Sequence, residues 1–334
     1  KMHGPEEVAF SDALFGRVEE ALGMPALVAE CDAMAAAAAA KPGGANGSSA
    51  RVGPPEILYT TTSDGVRIAY YTLGSGPPLV VMPQTPHGNI AHEWTSPEWA
   101  RFNTELARRH RLIEYDMRCT GSSDRGNADL SPEALMRDLD SVIEASGCDR
   151  FALMASFHAG PLATMYAAAH PDRVSHLILW CSYGRAGSFA EPAEQTGVLA
   201  LLESDWSLYC RMIVQMFYGW GHDRLSAWHE QHINVSMRPH DVVRFIRGLP
   251  QLDAMEAAGQ LSCPALVLTR DGVEWPPPEL SRELAARIPN SRLVVLEGHT
   301  AAPWAENTEE VLDVLARFTG SVPSTQALPG PVAE

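Results

Sequence analysis

The chain has 334 residues, a formal net charge of −16 at pH 7 and 46% apolar residues. Such a length buries the core of one large α/β domain carrying an insertion, and so acidic a balance argues against nucleic-acid partners, which need a basic stripe to displace counterions. No apolar run approaches the roughly 20 residues that a bilayer-spanning helix requires, and the polar start lacks the basic and apolar regions of a signal peptide, so no membrane partner and a cytoplasmic location are expected.

Taken in order, residues 10–22 place Phe10, Leu14, Phe15, Val18 and Leu22 along one helical face with Glu19 and Glu20 opposite. The next tract, of Ala, Gly, Ser and Pro, reads as a linker, so residues 1–54 are predicted to be a helical extension and linker. Strand-like runs at 57–61 and 66–73 flank Ser63, Asp64 and Gly65, a hairpin signal. A short buried strand at 79–82, a loop rich in Pro, His and Gly, a helix at 97–110 and a strand at 111–116 come next. Ser131 caps a helix running to about Gly147.

An apolar strand from Phe151 then passes through a tight turn into a helix ending near His170, and residues 176–181 form another buried strand. Strands cease for about eighty residues, where 203–220, 225–232 and 241–247 look helical. A strand at 265–269, a helix at 278–288, a strand at 292–296 and a helix at 308–318 restore the alternation. Strands alternating with helices imply an α/β fold, a mainly parallel sheet with helices on both faces. The core is assigned to 55–185 and 251–320, a helical cap to 186–250 and a Pro-rich disordered tail to 321–334.

The turn after the Phe151 strand bears on the chemistry. Ala155, Ser156, Phe157, His158 and Ala159 occupy the five positions of the G-x-S-x-G nucleophile elbow. Residues 115–123, Tyr-Asp-Met-Arg-Cys-Thr-Gly-Ser-Ser, look like the D-x-R-G-x-G-x-S turn of the same family, and residues 167–174 match the segment after its elbow helix. On these motifs residues 57–319 resemble the α/β-hydrolase superfamily, which implies an eight-stranded sheet with an inserted helical cap. Segments 64–70, 92–94, 204–206 and 296–298 are similar to the branch often fused to adenylyl cyclase or LuxR-type helix-turn-helix modules, neither of which is read in residues 1–334.

The resemblance also implies a triad, and each of its positions holds another residue here. The nucleophile falls on Phe157, the acid on Val273 with Asp271 and Glu274 nearby, and the histidine on Ala301 with His299 two residues earlier. A serine needs an imidazole to take its proton, and the imidazole needs a carboxylate to orient it. A phenyl ring cannot attack a carbonyl. What the family would retain is an oxyanion hole from the main chain of His158 and of the loop 83–88.

Candidate acid/base residues are therefore His158, His299 and His87, each weighed against a plainer packing or surface role. Ser156 reads as a small buried polar residue, and Asp116 with Arg118 as an internal ion pair. His229 and His232, three apart on a helix, lack a third ligand, so no metal is expected, and no cofactor. The cap concentrates Trp206, Tyr209, Met212, Met216, Phe217, Tyr218, Trp220 and Trp228. Some of these pack the cap onto the body, yet Met with aromatics also makes an adaptable apolar pocket. The predicted substrate-binding set is Phe157, Trp180, Trp206, Met212, Met216, Phe217, Trp220 and Trp275, around a hydrophobic small molecule, polycyclic or long-chain.

Three functions fit. One is a non-hydrolytic enzyme of elimination or cyclisation type with histidine-assisted proton transfer, acting on a polyketide-like intermediate of specialised metabolism. Another is a catalytically inactive ligand-binding or sensor protein; the third is a hydrolase with a displaced triad of Ser156, His299 and Asp271. The first is preferred because this chain shows no output module, and His158 discriminates the first two, since a binding pocket has no need of an imidazole there. The sequence allows a homodimer without requiring one.

Overall fold

Every residue of the strands β5 (Phe151–Ser156) and β7 (Ala265–Arg270) is buried, as expected of strands covered on both faces of a parallel sheet. They belong to one eight-stranded sheet in the order β1-β2-β4-β3-β5-β6-β7-β8. Its other members are β1 (Leu58–Thr61), β2 (Arg67–Leu73), β3 (Pro78–Val81), β4 (Arg111–Tyr115), β6 (Val174–Trp180) and β8 (Ser291–Leu296). β2 pairs antiparallel with β1 and β4, and the pairings from β4 through β8 are parallel. The structure, a computed structural model, describes residues 53–126, 128–185 and 192–321. The predicted N-terminal helix and linker, and the tail beyond residue 321, lie outside the described residues.

Helices α1 (Ile90–Glu93), α2 (Pro97–Ala107), α3 (Pro132–Ser146) and α4 (Ala159–Ala169) alternate with these strands. Of the five α-helices described between β6 and β7, the first four are α5 (Pro192–Ser204), α6 (Trp206–Tyr218), α7 (Asp223–Ser236) and α8 (Pro239–Gly248). This is the cap, inserted after the sixth strand. α9 (Met255–Gln260), α10 (Pro278–Arg287) and α11 (Thr308–Thr319) complete the body.

Local chemistry sets the helix ends. Ser131 accepts the N–H of Ala134 ahead of Pro132, and Gly147 closes α3 at φ +64°, a left-handed position that glycine adopts without strain. The run 203–220, read as one helix, is two: Asp205 lies outside helical geometry and its carboxylate accepts the N–H of Leu208 at 2.9 Å, starting α6 afresh. α4 carries apolar residues on nearly every face and is buried accordingly.

The expected Asp116–Arg118 pair is not formed. Asp116 accepts the N–H groups of Ile90 (2.8 Å) and Ser122 (2.7 Å), whereas Arg118, fully buried, reaches Asp138 and Asp64, each at 2.8 Å. Both side chains serve the turn after β4, but each with its own partners.

Candidate functional site

β5 ends at Ser156, and the chain reverses at Phe157, whose φ is +50°. His158 returns to helical geometry as the N-cap of α4. A non-glycine residue in left-handed geometry costs about 1–2 kcal/mol, so the turn is held from outside. The Phe157 N–H donates to the Trp180 carbonyl at 3.2 Å, and its own carbonyl accepts from Gly160 (3.1 Å) and from the Ser182 hydroxyl (3.3 Å). Gly160 is required by the same packing, because a Cβ there would run into the Ser182 side chain.

Above this turn lies a cavity of about 220 Å³. Phe157 and His158 border it from the elbow, residues 84–87 from the loop after β3, and Tyr209, Met212, Ile213, Met216 and Phe217 from α6. Val198, His229, Ile246, Leu249 and Trp275 close the rest. Among the described residues, no Asp, Glu, Lys or Arg lines it. The Phe157 ring packs against Phe217 at 4.7 Å between centroids and stacks on Trp275 at 6.2 Å with 13° between planes.

Three imidazoles border the cavity, and burial holds each in the neutral form. Desolvation lowers His158 to about 3 and His229 to about 3, the latter helped by the nearby His87 and His92. His87 falls to about 3 through desolvation, then through His232 and His158. Nδ1 of His158 is hydrogen-bonded to the hydroxyl of Tyr183, whose own proton burial makes harder to remove. His229 meets the Tyr218 hydroxyl at 3.0 Å, and His232 meets the half-buried His92 at 3.2 Å between Nδ1 atoms. No group of three or more His, Cys, Asp or Glu among the described residues is placed to hold a metal ion.

Of the residues singled out from sequence, His87, His158, Phe157, Met212, Met216, Phe217 and Trp275 come together around this cavity. Four do not. His299 is exposed, its backbone N–H donating to Glu306 at 2.9 Å, because the chain turns outward through Gly298 at φ +133°. Trp180 points into the body, where its indole donates to the Ala301 carbonyl at 2.7 Å beneath the Arg270 guanidinium. Trp206 bonds Asn234 at 2.7 Å and stacks behind Tyr209, and Trp220, past the end of α6, is 90% exposed.

The positions implied for acid and histidine are apolar and buried: Val273 in the loop after β7 and Ala301 in the loop after β8. The Ala301 N–H donates to the Phe217 carbonyl at 2.7 Å, which ties that loop to the cap. Asp271 and Glu274 are exposed. Ser156 lines a separate cavity of about 40 Å³ with Glu93, Asn103 and Glu114, so Ser156, His299 and Asp271 share no pocket.

The predicted sets lacked Gln84, Thr85, Pro86, Val198, Tyr209, Ile213, His229, Ile246 and Leu249, all of which line the cavity. One signal was available. Tyr209, Met212, Ile213, Met216 and Phe217 match the i, i+3, i+4, i+7, i+8 spacing of a single helical face, which includes Ile213 and sets aside Trp220.

A family model described as alpha/beta hydrolase fold matches residues 77–301. A protein of Caulobacter sp. strain K31, provisionally named carbamate hydrolase RutD, is 29% identical over 213 residues, 62% of this chain and 77% of its own. Among solved structures, an esterase from Exiguobacterium antarcticum superposes with a TM-score of 0.70 at 20% identity, over 80% of this chain and 100% of its own. The enol-lactonase from Burkholderia xenovorans LB400 superposes with a TM-score of 0.69 at 17% identity, over 79% and 100%.

Proposed function

Because the chain belongs to the α/β-hydrolase fold family, we propose that it keeps the family's pocket as a non-covalent site for an uncharged, largely apolar small molecule. The observation that carries this reading is Phe157 at the apex of the elbow, its ring packed between Phe217 and Trp275. Carbon stands where an attacking oxygen is needed. Val273 and Ala301 supply neither carboxylate nor imidazole, so acyl transfer lacks its nucleophile, its base and its orienting acid together.

The imidazole at the elbow does not make up the loss. A general base works best with a pKa near the operating pH, and His158, lowered to about 3, accepts protons poorly at neutrality. It serves instead as a neutral hydrogen-bonding group. For this reason binding ranks ahead of the enzyme preferred on sequence grounds.

The His158–Tyr183 hydrogen bond in the cavity wall favours one second reading, a non-hydrolytic enzyme in which this pair moves a proton on the bound molecule. Calorimetric titration with 2-naphthol, followed by mass analysis of the recovered compound, separates the two. Saturable heat with a negative heat-capacity change and unchanged 2-naphthol support binding. A chemically altered compound supports the second reading, and absence of heat removes the first.

A further inference from the structure

We propose that the site selects a compact ring compound bearing one uncharged hydroxyl or carbonyl oxygen, anchored by the side chains of Thr85 and His87. This rests on the reading of the cavity as a non-covalent binding site and names what that site takes.

Two atoms carry the inference. Oγ1 of Thr85 and Nε2 of His87 are buried without a hydrogen-bond partner among the described residues. Their residues are 7% and 8% exposed, and both line the cavity. A buried polar atom left unpaired is costly, and such atoms are rare in folded chains unless water or a ligand completes them. They stand two residues apart on one loop, in a cavity lined otherwise by apolar side chains, those of α6 among them, together with the polar Gln84, His158, Tyr209 and His229. A threonine hydroxyl both donates and accepts, and a neutral imidazole nitrogen does either according to its tautomer. An alcohol, phenol or ketone oxygen on the ligand matches this pair.

Charge and size narrow the class further. A carboxylate or ammonium group on the ligand would meet no opposite charge in the wall and would pay the full cost of desolvation. An apolar cavity of roughly 150 Å³ holds benzene. At about 220 Å³ this one suits a substituted ring or two fused rings, and is tight for the long-chain or polycyclic ligand expected from sequence.

The test titrates the full chain with 2-naphthol, naphthalene and 2-naphthoate, and repeats the titrations on the Thr85→Val/His87→Leu variant. We expect 2-naphthol to bind about fivefold more tightly than naphthalene, the ratio worth one hydrogen bond, and 2-naphthoate to show no binding. In the variant that preference should vanish. The variant's melting temperature should rise, because two unpaired buried atoms are gone. Equal affinities for the two neutral compounds, a preference that survives in the variant, or tight binding of 2-naphthoate would overturn the anchor and leave the cavity standing as a site. If neither neutral compound binds, the binding reading itself falls, and the anchor with it. Thr85→Val alone, a near-isosteric change, gives the same comparison with about half the loss of preference if the double variant does not fold.

Discussion

The ring of Phe157, at the turn between β5 and α4, meets the ring of Phe217 on the cap helix α6 with centroids 4.7 Å apart and planes inclined at 51°. This lies within the tilted geometry that aromatic quadrupoles favour. The Phe217 carbonyl in turn accepts the N–H of Ala301. Three segments that would deliver nucleophile, substrate roof and histidine in a hydrolase are thus joined by packing and one backbone hydrogen bond.

Replacing Phe157 tests that packing. Phe157→Ala removes a buried ring and is expected to destabilise the chain by about 3 kcal/mol. Phe157→Gly removes the same ring and also relieves the left-handed strain at φ +50°, so it should be the more stable of the two by about 1 kcal/mol. Urea unfolding of both variants gives the comparison. Alanine more stable than glycine, the order found in ordinary helical positions, would contradict the strained elbow.

Ligand affinity is expected to be flat between pH 5 and pH 8. His87, His158 and His229 sit at about 3 when folded and stay neutral throughout this window, and 2-naphthol is uncharged across it. A fall in 2-naphthol affinity centred near pH 6.5 would place a normally titrating imidazole in the wall. The same lowered values predict the opposite behaviour for the contribution of these histidines to stability. The unfolded chain takes up protons below pH 6.5 that the folded chain refuses, so their contribution is lost as the pH falls from 6.5 towards 3.

Glu114 contributes with the other sign. Burial raises it to about 7, against the pull of hydrogen bonds from Tyr71 and Asn103. A carboxyl raised on folding stabilises below its unfolded value near 4.5, and that stabilisation is lost as the pH rises through 7. Glu114→Gln does not titrate, so its stability relative to the parent chain should improve by roughly 2 kcal/mol between pH 5 and pH 8. Denaturant midpoints at both pH values read this directly. A constant difference would mean that Glu114 is ionised in the folded state.

The strand and helix rhythm was legible because burial imposes it residue by residue: β5 and β7 are buried throughout and apolar except at their C-terminal ends, and Ser131 and Gly147 mark the two ends of α3. Phe157 at the elbow was legible for the same local reason, since the strand, turn and helix around it are contiguous in sequence. Trp180 and Trp206 were not. Each is large and apolar in a plausible place, but Trp180 is turned into the body by its bond to Ala301, and Trp206 is drawn to Asn234, partners far away in the chain. His299 escaped for a backbone reason, the outward turn at Gly298. His229 joined the cavity only through the packing of α7 against α6, which no local pattern encodes.

Intact mass after exposure to a fluorophosphonate tests the central claim most directly, because such a probe marks any serine activated as a nucleophile. With Phe157 at the apex and Ser156 turned into a separate cavity beside Glu93 and Glu114, the mass is expected to stay that of the untreated chain, with p-nitrophenyl acetate cleaved no faster than in buffer. A single adduct mapped to Ser156, abolished in Ser156→Ala, would contradict the account and return the chain to covalent hydrolysis.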